Sequence, residues 1–336
     1  MDVSGLVWAG TAVFVVGLIF FDFFAHVRTP HAPSFQESAR WSIFYIALAL
    51  VFGVVVGMVW GWGPGTEYFA GYITEKSLSV DNLFVFLIIM TKFAVPREYQ
   101  QKVLLVGVVI ALVLRTIFIL AGAAAIEQFS WVFYIFGLFL VYTAVKLARE
   151  HHDPGHEPDP REQRDGIAVR LLKRVLPTTE EYHGDRLTVK IDGKRFLTPM
   201  LVVMVAIGST DILFALDSIP AIYGLTEEPY IVFTANAFAL LGLRQLYFLI
   251  GGLLERLVYL SQGLAVILGF IGIKLVLHAL HVNELAFINN GEPVEWAPEI
   301  PIWLSLTVIL GTLAVATVAS LLKTRNDDRT PSSTES

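Results

Sequence analysis

Nine ionisable side chains stand in stretches that are otherwise apolar: Asp22, Glu75, Lys76, Asp81, Arg115, Asp211, Asp217, Arg244 and Lys274. At the centre of a bilayer each costs on the order of 3 kcal/mol, so such residues point to a function. Glu75 and Asp81 are six residues apart, and so are Asp211 and Asp217. On a straight helix that step leaves two carboxylates about 120° apart, and a local unwinding lets them converge. Ser77, Ser79 and Pro220 are placed for it, and a broken helix would add backbone carbonyls facing a cation. Asn82, Thr210, Ser218 and Asn236 supply further oxygens nearby. A set of carboxylate, amide and hydroxyl oxygens suits Mg, Ca or Mn rather than Zn or Cu.

The competing account pairs Asp81 and Asp217 with Arg115 and Arg244 as structural ion pairs. The two arginines are poor cation ligands but good counter-charges for the carboxylates. Asp22 lies where it could reach lipid headgroups. Lys274 could be a charge partner or an internal substitute for a cation. All eight His fall in loops or at helix ends, which argues against haem, and His151, His152 and His156 read as a solvated loop. There is no Cys, which removes thiolate sites, disulfides and thiol redox chemistry. The expectation is a non-enzyme with no resident cofactor and no nucleic-acid partner.

The elements that carry these residues are membrane helices. Hydrophobic residues make up 55% of the 336, and the mean hydropathy is +0.64. Continuous apolar runs predict helices at about 5–24, 41–60, 67–92, 103–124, 131–148, 197–218, 231–254, 258–278 and 301–322. The run from Leu6 to Phe21 lacks a basic flank and a small-residue cleavage site, and reads as a retained first helix. The fold class is therefore an all-α polytopic bundle of about nine transmembrane helices. Of the 24 Lys and Arg, 20 lie in alternate linkers, and the loops near 61–66, 125–130, 219–230 and 279–300 have none. That asymmetry predicts an N-terminus outside and a C-terminus in the cytoplasm, and the expected location is the plasma membrane.

Helices three to five resemble helices six to eight. Asp81-Asn82, Arg115, Gly122, Glu127 and Lys146 in one set match Asp217-Ser218, Arg244, Gly251, Glu255 and Lys274 in the other. Arg to Lys spans 31 and 30 residues, and Arg to Glu spans 12 and 11. Units of three helices must be inverted relative to one another, the ground plan of many secondary transporters. The chain then divides into two N-terminal helices (1–60), a first repeat (61–150), a cytoplasmic loop (151–196), a second repeat (197–280), an outer loop with the last helix (281–322) and a disordered tail (323–336). Within the loop, 167–176 reads as a basic amphipathic helix, and Arg186–Phe196 as a hairpin about Asp192-Gly193.

Glu-Lys-Ser-Leu-Ser-Val-Asp-Asn at 75–82, Phe-Ala-Val-Pro at 93–96, Thr-Asp-Ile-Leu-Phe-Ala-Leu-Asp-Ser-Ile-Pro-Ala at 210–221 and Leu-Gly-Leu-Arg-Gln-Leu-Tyr-Phe-Leu at 241–249 resemble the TerC family of bacterial membrane proteins, of the tellurium-resistance TerC and Alx type. The resemblance runs from about residue 6 to 322. It implies a role in metal-ion homeostasis, with manganese export the leading theme; members also carry the label of redox modulators. The family's acidic motif positions fall on Glu75, Asp81, Asp211 and Asp217, with Asn82 and Asn236 beside them. Many members have a Glu where this chain has Gly208. The expected activity is export of a divalent cation, Mn²⁺ foremost, with protons as coupling ion, metal ligands Glu75, Asp81, Asn82, Asp211, Asp217 and Asn236, and Arg115 and Arg244 balancing charge. The alternatives are a membrane redox modulator or tellurium-resistance component without ion transport, and a scaffold that recruits partners.

Overall fold

A computed structural model describes residues 1–27, 31–129, 131–150, 169–170, 172, 174, 177–179, 181–191, 194–250, 257–283, 285, 288–294 and 296–327. For His26, Asp81, Phe84, Glu127, Glu150, Leu213, Asp217, Ile250, Arg325, Asn326 and Asp327 it describes the backbone alone. The His151–His156 cluster, the Asp192-Gly193 turn, most of the 167–176 segment and the tail beyond Asp327 lie outside the described residues, as do the side chains of Asp81 and Asp217.

Among the described residues the apolar runs become ten α-helices: α1 (Gly5–Asp22), α2 (Phe35–Trp60), α3 (Trp62–Lys92), α4 (Arg97–Gln128), α5 (Val132–Glu150), α6 (Pro199–Tyr223), α7 (Pro229–Leu240), α8 (Leu243–Ile250), α9 (Leu260–His281) and α10 (Ile302–Asp327). Their starts follow capping chemistry. Ser4 and Ser34 accept from Val7 N and Glu37 N at α1 and α2, and Pro199 and Pro229 take the first turns of α6 and α7, where a missing N–H costs nothing. Among the described residues eight spans, with α7 and α8 counted as one, are long and apolar enough to cross a membrane. The remaining long helix, α3, runs 31 residues, about 46 Å. It falls short in apolarity because it carries Glu67, Glu75, Lys76 and Asp81.

Burial is arranged for lipid. Leu6, Phe20, Ile43, Met58, Val315 and Leu322 project outward from α1, α2 and α10, whereas Glu75, Arg115, Asp211 and Arg244 are buried. The central element is α7, buried at every position from Tyr230 to Leu240. It packs on α3 through Gly71 and Ala235, and α4 packs on α6 through Gly107 and Ile207. Strands β1 (Thr188–Ile191) and β2 (Lys194–Leu197) pair antiparallel with Ile191 opposite Lys194, the expected hairpin. Its neighbours dock on the helix ends: Tyr182 Oη donates to Phe93 O at 2.8 Å and Lys102 Nζ to Asp185 at 2.6 Å. The Lys102 ammonium holds the Asp185 carboxyl below its ordinary range.

Three spans differ from expectation. Helices α3 and α6 run unbroken through Ser77, Ser79 and Pro220, because the Ser77 hydroxyl bonds back to Ile73 O (2.6 Å) and Pro220 falls in the last turn of its helix. The predicted seventh span is the one that breaks. It stops at Leu240, turns at Leu241 and Gly242, and resumes at Leu243. Gly242 takes φ +78°, and a Cβ there would stand 2.8 Å from Tyr45 Cβ, so both conformation and space call for glycine.

Candidate cation site between the helices

Arg115 rises from the middle of α4 and is fully buried. Its Nη1 pairs with Glu75 Oε1 of α3, while Nη2 and Nε donate to Asp211 Oδ1 and Oδ2 of α6 at 3.3 and 3.4 Å. One guanidinium thus joins two buried carboxylates from separate helices, leaving the trio with one net negative charge. Such a group is tolerated away from water only while every charge stays partnered. Among the described residues no group of three or more Asp, Glu or His converges at metal-binding range; Glu75 and Asp211 converge on Arg115.

On the same helices and on α7, further polar atoms are buried and without a hydrogen-bond partner. They are Glu75 Oε2, Thr74 Oγ1 and Ser79 Oγ on α3, Ser218 Oγ on α6, and both amide atoms of Asn236 on α7. Since Gly71 meets Ala235 and Lys76 Nζ reaches Ala239 O, Asn236 sits on α7 alongside the turn of α3 that bears Thr74 and Glu75. Buried polar atoms left unpaired each cost about 1–3 kcal/mol, so an oxygen-rich set of them fits a hard cation. Asn82 is buried on α3 one residue beyond Asp81.

Arg244 belongs to a second centre. Its Nη2 donates to Asp22 Oδ1 at 2.7 Å and its Nη1 to Gln101 Oε1. Gln245 and Tyr45 also donate to Asp22 Oδ1, at 2.9 and 3.1 Å. Asp22 is therefore buried within the protein, away from any headgroup. Gln101 and Gln245 give no sequence signal, being neutral residues next to charged ones; the centre is assembled from α1, α2, α4 and α8 only by packing.

At the other end of the bundle a cleft of about 570 Å³ opens between α3, the α6–α7 turn, α9 and the segment before α10. Glu67, Glu227, Glu228, Lys274 and Glu299 line it. His278 Nε2 pairs with Glu227 at 2.9 Å and holds that carboxyl below its ordinary range. Tyr223, whose hydroxyl donates to Ile119 O at 2.7 Å, stands on the wall of the cleft at the end of α6.

Gly208 faces α4, where a Cβ would lie 3.0 and 3.3 Å from Ile110 Cγ2 and Cδ1. Gly208→Glu is expected to cost roughly 1–3 kcal/mol by overpacking. The melting temperature in detergent should fall, and Ile110→Ala in the same chain should restore most of it. An unchanged single variant would show that the α4–α6 seam is looser than this.

The family model for the integral membrane protein TerC family matches residues 60–328. An uncharacterised membrane protein of Mycobacterium tuberculosis (strain ATCC 25618 / H37Rv) is 51% identical over 331 residues, 97% of this chain and 81% of that protein. One from Myxococcus xanthus is 40% identical over 319 residues, covering 95% and 93%. A candidate membrane-bound redox modulator named Alx, from Escherichia coli (strain K12), is 38% identical over 325 residues, 92% of each chain. No solved structure matches. With four-fifths of its length under the family model and relatives matched nearly end to end, this multi-pass membrane protein belongs to the TerC family.

Proposed function

We propose that the chain is a secondary transporter that exports a small divalent cation, Mn²⁺ foremost, across the plasma membrane. The observation that carries this reading is the convergence of Glu75 and Asp211 on a single guanidinium, with the buried amide of Asn236 unpartnered on the neighbouring helix α7. Arg115 supplies one positive charge where a divalent ion would bring two. Ion and guanidinium then compete for the same carboxylates, and loading the site means exchanging one for the other. Asp81, Asn82 and Asp217 complete the oxygen shell in this account. The Lys- and Arg-rich linkers lie inside and the Glu67 cleft opens outside. Two inverted three-helix units, 61–150 and 197–280, rock about the site to expose it to each side in turn.

A redox role, the sense of the Escherichia coli relative's name, would need groups that cycle electrons, and thiol chemistry is absent from a chain without Cys. The transport reading is tested with the purified full chain in proteoliposomes, offered Mn²⁺, Ca²⁺, Mg²⁺ and tellurite in turn. Wild type should move Mn²⁺, and Glu75→Gln, Asp81→Asn and Asp217→Asn should each lower that flux at least tenfold. Equal flux from all three variants would remove the carboxylates from the pathway.

A further inference from the structure

The centre at Asp22 lies where the broken span meets both proposed units, and the metal site does not use it. Arg244 and Gln245 stand in the first turn of α8, directly after the break at Leu241 and Gly242. Arg244 belongs to the second unit and Gln101 of α4 to the first, so their hydrogen bond crosses the seam between them. Asp22, at the end of α1, takes Arg244, Gln245 and Tyr45 on one oxygen, Oδ1, at 2.7, 2.9 and 3.1 Å. Tyr45 of α2 also abuts Gly242, whose φ of +78° makes the break. One residue thus touches the turn and the carboxylate together. Gln101 and Arg115 are fourteen residues apart on α4, about 21 Å, so this centre is remote from the metal ligands.

The two faces of the bundle are unequal. On the Glu67 face the cleft of about 570 Å³ stands open, and Glu67 is eight residues, about 12 Å, along α3 from Glu75. On the opposite face the void between Ser38, Trp41, Gln101 and Arg244 is about 10 Å³, the room of a single water. Ser38 Oγ, Arg244 Nε and Gln245 Oε1, from residues that line this void, are buried and without a hydrogen-bond partner. A clamp with no other task would gain nothing by opening. Here water admitted by a wider void would satisfy three unpaired atoms and offset the loss of the Arg244 contacts, which keeps closed and open forms near in free energy.

We infer that the Asp22–Arg244 centre is the cytoplasmic gate of the transporter, closed in this conformation, and that α8 opens it by turning about Gly242. The inference rests on the transport reading above. A break between two helix segments is where a span absorbs a change of direction, and Arg244 is carried just past it. On opening, Arg244 leaves Gln101, the void at Ser38 fills with water and the outer cleft narrows. The site at Glu75 and Asp211 then faces one solution at a time. Asp22, Tyr45, Gln101, Arg244 and Gln245 are positioning residues in this account, and none of them touches the ion.

The chain has no Cys, so a single introduced thiol reports on each face. Ser38→Cys is the reporter behind the gate, and Ile300→Cys is the reporter in the outer cleft. Each is labelled with a water-soluble maleimide in the full chain held in lipid nanodiscs, where both faces meet the reagent. Asp22→Asn with Arg244→Gln removes the ion pair and leaves neither charge buried alone. Labelling at Ser38→Cys should then rise and labelling at Ile300→Cys should fall, each by about tenfold (about 1.4 kcal/mol). Tyr45→Phe, which removes one donor to Asp22, should move both rates the same way by less, and gives the answer if the double variant folds poorly. Unchanged rates overturn the inference. So does a rise at Ser38→Cys with no fall at Ile300→Cys, which marks a local leak rather than a gate coupled to the far face. Mn²⁺ flux in proteoliposomes keeps the two readings apart. A wild type that moves Mn²⁺ while the variants leave both reporters unchanged loses the gate alone. One that moves no Mn²⁺ while the reporters respond as expected loses the transport reading and keeps the two-faced switch.

Discussion

Arg115→Met should be the most damaging single substitution in the chain, and added Mn²⁺ should partly repair it. The substitution leaves Glu75 and Asp211, both almost fully buried, without the cation they share. Removing one partner of a buried ion pair costs about 3–5 kcal/mol, because the remaining charge can neither reach water nor find another partner. Two carboxylates are orphaned here, so the upper end of that range applies. The expected result is a loss of most folded protein in size-exclusion chromatography and a sharply lower melting temperature. Neutralising the same site throughout, with Glu75→Gln and Asp211→Asn added, should recover much of the stability, since no net charge then remains to be buried. It should not recover transport. Mn²⁺ separates this account from a purely structural one: an ion that takes the guanidinium's place should raise the melting temperature of Arg115→Met more than that of wild type. An Arg115→Met protein as stable as wild type, or one indifferent to Mn²⁺, would mean that the trio is not a cation site.

The features of this protein that the sequence reveals are those set by local patterning. Apolar runs of spanning length became helices, and within them Asp22, Glu75, Arg115, Asp211 and Arg244 became buried. Even α3 is instructive: its charges take it below ordinary membrane apolarity, and it survives by being packed among other helices. What could not be read were the long-range registers. Arg115 and Arg244 hold matching places in the repeat, yet Arg115 takes Glu75 and Asp211 among its partners and Arg244 takes Asp22 and Gln101, because helix packing decides which faces meet. The break in α7–α8 was equally hidden. Ser77 and Pro220 suggest unwinding, but a serine can close its hydroxyl onto its own helix, and a proline in a last turn disrupts little. Leu241-Gly242-Leu243 looks like ordinary apolar helix, and only the positive φ of Gly242 and the Tyr45 ring against it show the turn.

The second large effect is expected at the contact between α5 and α9. These helices run antiparallel with their backbones almost touching. A Cβ on Gly272 would lie 2.8 Å from Gly137 O and 2.9 Å from Val141 N, and one on Gly137 would lie 2.8 Å from Gly272 O. The obstacles include backbone atoms on both sides, which cannot swing aside as a side chain does. Small residues let membrane helices approach this closely, and the packing so gained holds them together where lipid offers no hydrophobic drive. In an unobstructed helix, Gly→Ala would stabilise by about 0.8–1 kcal/mol. Gly311→Ala, with nothing within 4 Å of its added methyl, should show that gain. Gly272→Ala should have the opposite sign, losing roughly 1–3 kcal/mol, and Gly272→Val should lose more. Because α5 and α9 are the third helices of the two proposed units, forcing them apart should also slow transport. Mn²⁺ binding at Glu75 and Asp211 should be largely spared, since neither residue lies on these helices. A Gly272→Ala protein that melts at or above wild type would show that this contact is not a close seam. One that is destabilised yet transports at the wild-type rate would show that the two units do not move against each other here.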